Sequence, residues 1–81
     1  MFNFDITIDL HGYMAEDALV LLEEKCFSEY SRSIMIIHGR GDGILKQAVR
    51  NFIRQCPYIK DYDWGEDLNI PGTDGITIVY T

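Results

Sequence analysis

Two short stretches hold the residues that could do chemistry. Asp9 and His11 stand two apart in IDLHG, and His38 opens HGRGDG, where Gly39, Gly41 and Gly43 alternate with Arg40 and Asp42. Hydrolysing a phosphodiester needs a base for the nucleophile, an acid for the leaving oxygen, and positive charge or N–H donors around the transition state. Histidine suits proton transfer near neutral pH, so His11 and His38 are the candidate acid and base. Asp9 can orient or charge a histidine, and the glycine turn with Arg40 can hold phosphate. For either histidine alone a structural hydrogen bond is the plainer role; catalysis is indicated by both meeting Asp9.

The glycines lie between an apolar run, Ile34 to Ile37, and an amphipathic pattern that starts near Leu45. Strand, turn and helix are expected in that order. The uninterrupted run suits a strand that is central or covered on both sides. His38 ends it. The three glycines permit φ > 0 and close backbone approach, and Asp42 is placed to cap the helix. Free N–H groups at such a turn, with the helix dipole behind them, attract an anion, although the same turn can be only a tight connection. The spacing is neither a P-loop nor a dinucleotide fingerprint, and 81 residues leave no room for two mononucleotide-binding halves.

Residues 2 to 11 alternate strictly, with Phe2, Phe4, Ile6, Ile8 and Leu10 on one side and Asp9 and His11 together on the other. A helix is expected from Ala15 to about Tyr30, burying Ala15, Ala18, Leu19, Leu22 and Cys26. A second helix buries Leu45, Ala48, Val49, Phe52 and Cys56 and stops at Pro57. Its Lys46, Arg50 and Arg54 fall at i, i+4 and i+8 on one exposed face, a solvated stripe or a phosphate contact. Tyr58 to Trp64 reads as an edge strand, Gly65 to Asp74 as a polar loop, and Ile76 to Tyr80 as the last strand. The order is β-α-β-α-β-β.

Composition bounds the function. One domain spanning 1–81 is expected, with a 47% hydrophobic and 25% charged make-up that fits a globular chain. No stretch has the length of a membrane span and the N-terminus lacks a signal pattern, so no membrane partner and a cytoplasmic location are expected. Cys26 and Cys56 lack metal-ligand spacing and are expected to be buried thiols. The net charge of −6 opposes indiscriminate binding to a polyanion. However, Arg40 to Arg54 carries +3, with Asp42 its only acid, while the remainder carries −9. One face could therefore receive nucleic acid while the others reject it.

IDLHG at Ile8 to Gly12, IIHGRGDGIL at Ile36 to Leu45 and GTDGITIV at Gly72 to Val79 together resemble the small MutS-related, or Smr, domain family across nearly the whole chain. The resemblance implies an α/β two-layer sandwich, a four-stranded mixed sheet with two helices on one face, similar to the C-terminal domain of bacterial translation initiation factor three. It further implies an endonuclease or nicking module acting on structured or branched DNA or RNA. The family's L-D-x-H motif falls on Ile8, Asp9, Leu10 and His11, with Ile8 a departure, and its H-G-x-G motif on His38, Gly39, Arg40 and Gly41. Catalysis is thus expected at Asp9, His11 and His38, and substrate contact at Gly39, Arg40, Gly41, Gly43, Lys46 and Arg50. No metal site is assigned, since only Asp9 is a secure carboxylate at this edge; it could hold at most a single Mg²⁺. The alternatives are a non-catalytic nucleic-acid-binding module and a protein-interaction adaptor that uses Tyr58, Tyr62 and Trp64.

Overall fold

A computed structural model of the chain describes residues 4–26, 33–39, 43–68 and 75–81. The apolar run forms β2, Ser33–Ile37, between β1, Ile6–Asp9, and β4, Ile76–Tyr80; β3, Asp61–Trp64, is the edge strand beyond β4. An interior position is what an apolar run with no polar side requires. β1 is parallel to β2, with Asp9 opposite Ile37; β4 is antiparallel to both β2 and β3, with Thr77 opposite Ile36 and Trp64.

Register is pinned ahead of β1. Asp5 Oδ2 accepts from the Ser33 N–H at 3.0 Å, and the Asp5 N–H donates to the Ser33 carbonyl at 3.0 Å. A slip by one residue would break both bonds and turn Ile8 and Leu10 to solvent.

Two helices cover one face of this sheet. In α1, Ala15–Cys26, the inward stripe is Ala18, Leu22 and Cys26; in α2, Ile44–Gln55, it is Val49 and Ile53. These side chains join Ile8, Leu10, Ile34, Ile36 and Val79 in one core cluster, and the two layers make a body of 32 × 31 × 18 Å. Among the described residues no helix is long and apolar enough to cross a membrane.

Local details depart from expectation. β1 is only four residues long, although the Leu10 N–H still donates to the Ile37 carbonyl at 2.8 Å. The expected helix end at Tyr30 lies outside the described residues, as does Phe2. Ile53, not Phe52, is the deeply buried residue in the last turns of α2, with Phe52 half-buried. The N-cap of α2 is Gly43, at φ 85° and with no side-chain cap bond; Asp42, the expected cap, lies outside the described residues. A left-handed residue makes the corner here, and glycine adopts that conformation at least cost. Gly65–Leu68, expected as loop, form a 3-10 turn.

Leu22 is fully buried and Val20, on the same helix, is 65% exposed. Leu22→Ala should therefore destabilise by about 2–5 kcal/mol, and Val20→Ala by less than about 0.5 kcal/mol. Urea unfolding midpoints check the contrast.

Candidate functional site

Parallel pairing sets the C-terminal ends of β1 and β2 side by side, the edge at which open α/β sheets receive ligands. On the first end, Asp9 and His11 are both exposed, and Asp9 Oδ1 accepts the His11 N–H at 2.9 Å. That bond closes a short turn of a kind aspartate favours. Gly12 follows at φ 82°, and the Tyr13 N–H donates to the Leu10 carbonyl at 3.0 Å as the chain reverses toward α1.

On the second end the chain goes inward. Strand alternation puts His38 on the side of Ile34 and Ile36, under the helices, and it is only 6% exposed. Its Nδ1 lies 2.9 Å from the Gly39 carbonyl oxygen and its Nε2 2.9 Å from Thr77 Oγ1. The His38 and Gly39 N–H groups both donate to the Gly75 carbonyl, at 3.0 and 2.9 Å, and Gly39 has φ 77°. Gly39 thus contributes a pinned turn, with its N–H already engaged. Gly43 closes the described part of the turn at the head of α2, while Arg40 and Gly41 lie outside the described residues.

The basic stripe of α2 is not a bare solvated face. Arg50 is 9% exposed; both of its terminal nitrogens donate to the Glu66 carboxylate, one of them at 2.8 Å, and its Nε reaches Thr77 Oγ1 at a long 3.5 Å. Its guanidinium carbon sits 4.5 Å from the centre of the Trp64 ring, and that of Arg54 sits 5.4 Å away. Lys46 Nζ is 3.5 Å from Glu66 Oε2. The forked pair with Arg50 holds the Glu66 carboxyl at about 2, well below its ordinary 4.5. Burial, with Arg50 and Lys46 nearby, lowers the His38 pKa, against the opposing pull of its bond to Gly39 and of Glu66. Burial, and then Cys56, push the Cys26 thiol up to about 11, and both cysteines are free and buried.

The structure brings the two strand ends together but sends their side chains to opposite sides. Asp9 and His11 are presented to solvent; His38 faces Thr77. The sequence pattern missed Thr77, Trp64 and Glu66. Strand parity, which places His38 with Ile34 and Ile36, is the signal that could have shown it turned inward. Glu66 reads in sequence only as part of an acidic rim. Among the described residues no three His, Cys, Asp or Glu side chains are grouped to hold a metal ion. A shallow cleft of about 370 Å³ opens between the first turns of the two helices, lined by Tyr13, Met14, Ala15, Glu16, Ile44 and Leu45. Tyr13, Met14 and Ile44 are substantially exposed there.

The family model described as the Smr domain matches residues 8–81. An Endonuclease MutS2 of Geobacillus kaustophilus is 41% identical over 81 residues, covering 95% of this chain and 10% of that protein. A Ribosome rescue factor SmrB of Shewanella putrefaciens is 38% identical over 71 residues, covering 78% of this chain and 40% of that protein. The chain therefore spans about a tenth of the one relative and two fifths of the other. The crystal structure of the Smr domain of Thermus thermophilus MutS2 superposes with a TM-score of 0.76 at 25% identity, over 90% of this chain and 92% of that one.

Because the Glu66 carboxyl is depressed in the folded chain, its stabilising contribution is full above about 4.5 and is lost as pH falls toward about 2. In Glu66→Gln the urea midpoint should be lower than wild type at neutral pH, and the two should converge as acid approaches pH 2. Unfolding curves measured across that range check the sign.

Proposed function

The chain belongs to the Smr domain family, and on that premise we propose that it binds structured or branched DNA or RNA and hydrolyses a phosphodiester in it, as an endonuclease or nicking module. The observation that carries this reading is the exposed pair Asp9 and His11, set at the C-terminal end of β1 against the pinned glycine turn of its parallel neighbour. A phosphate seated between the turn and the head of α2 would lie within the positive field of that helix end. His11 is the exposed group able to take or give a proton there, and the Asp9 carboxylate, by accepting the His11 main-chain N–H, holds the turn that presents it. The names of the MutS2 and SmrB relatives support an action on nucleic acid or at the ribosome.

Charge restricts the approach. Asp5, Asp9, Asp61 and Asp63 occupy the uncovered side of the sheet by strand parity, so a polyanion is repelled from that face and directed to the loop edge. Lys46, only loosely paired with Glu66 at 3.5 Å, and the exposed Arg54 provide phosphate contacts along α2, while Arg50 is committed to the same carboxylate by its forked bonds. The apolar cleft with Tyr13 at its rim offers an unpaired base a surface next to this edge.

Purified protein incubated with supercoiled branched DNA and with structured RNA, with Mg²⁺ and with chelator, tests the reading. Cleavage by wild type is expected. His11→Ala should reduce its rate by about 10²–10⁴ while binding is nearly unchanged, and Asp9→Asn should reduce it less. Binding without cleavage in every condition would leave a binding module, and normal cleavage by His11→Ala would remove the assigned site.

A further inference from the structure

His38 is the conspicuous histidine of the glycine motif, yet its surroundings fix its proton. The Gly39 carbonyl can only accept, so the ring nitrogen 2.9 Å from it, Nδ1, carries hydrogen. At the other end of the ring, Thr77 Oγ1 lies between His38 Nε2 at 2.9 Å and Arg50 Nε at 3.5 Å. A guanidinium can only donate, so the Thr77 oxygen accepts from Arg50, and its single hydroxyl proton is available to His38. In a neutral ring with hydrogen on Nδ1, Nε2 is bare and accepts that proton. The Gly39 end of the ring requires this placement and the Thr77 end accommodates it.

We propose that Thr77, held by Arg50 on the Glu66 carboxylate, locks His38 as the neutral Nδ1–H tautomer, and that His38 is a positioning residue that clamps the Gly39 carbonyl rather than the acid or base of the reaction. The groups facing the ring agree with a neutral state. Arg50 and Lys46 on α2 oppose a charge on it, Glu66 at the 3-10 turn favours one but is already neutralised by both cations, and Thr77 on β4 and the Gly39 carbonyl are uncharged. With its N–H on Gly75 and its carbonyl on His38, Gly39 has both main-chain groups committed. Proton transfer then falls to His11 alone among the two histidines. The role in cleavage rests on the function proposed above; the tautomer does not.

Two measurements separate these. In ¹⁵N-labelled protein at neutral pH, long-range imidazole correlations should show His38 protonated at Nδ1 only. Thr77→Val should move the Nε2 resonance, and Thr77→Ser should restore it. An Nε2–H pattern, or a charged ring at neutral pH, overturns the proposal and leaves the endonuclease reading standing. In the cleavage assay, His38→Asn keeps an amide N–H for the Gly39 carbonyl but cannot shuttle protons. It should cleave within about tenfold of wild type with an unchanged pH profile of kcat, whereas a lost acid or base costs about 10²–10⁴. A His38→Asn variant that folds and falls by that larger factor would overturn the proposal. If wild type cleaves nothing, the clamp is read from Gly39 amide exchange, expected to stay slow in His38→Asn and to rise in His38→Ala; equal exchange in the two variants would overturn it.

Discussion

A hydroxyl sealed in the middle of a sheet has to find its partners inside the protein, because leaving it unpaired costs about 1–3 kcal/mol. Thr77 is in that position, fully buried on an interior strand and facing the helices. Its two partners come from different elements, His38 from the end of β2 and Arg50 from α2. Arg50 in turn needs an anion, since a guanidinium at 9% exposure cannot rely on water, and Glu66 provides it from the turn after β3. One buried oxygen thereby ties the glycine turn to the edge strand on the far side of the sheet.

The same network redistributes the charge that the sequence puts on α2. Lys46 and Arg50 share Glu66, and Arg50 and Arg54 lie over Trp64, whose ring face attracts cations. On the uncovered side of the sheet the aspartates have tasks of their own: Asp5 holds Ser33, Asp9 holds the His11 N–H, and Asp63 accepts from the Tyr80 hydroxyl at 3.1 Å. Tyr62 stacks against Trp64 with ring centres 4.3 Å apart, so part of the aromatic group read as a possible partner surface is edge packing. Under the function proposed above, the edge left for an anionic ligand is the one where the strand ends and the helix starts converge.

Periodicity explains why the architecture could be read without coordinates. Alternation over residues 2 to 11, the apolar run of β2 and the 3.6-residue stripes of both helices each report which face is buried, and burial is a local property of pattern. The three separated motifs then identified the family, and with it the mixed sheet under two helices. Element ends were less legible, because Gly43 starts α2 by a left-handed backbone conformation, which no side-chain pattern announces.

The site divides along the same line. By itself the sequence determined that Asp9 and His11 stand together, solvent-exposed, at the close of the first strand, and that glycines follow His38. Tertiary structure alone decided that Arg50 is buried. Helical spacing places it four residues from Lys46 on what looks like an open face, and only the return of the chain through β3 sets Trp64 and Glu66 against it. It also decided the surroundings of His38, whose residue type suits a proton carrier but whose ring meets the Gly39 carbonyl at one nitrogen and Thr77, 39 residues away in sequence, at the other. A histidine's tautomer depends on what each ring nitrogen meets, and those partners are assembled only when distant strands pair.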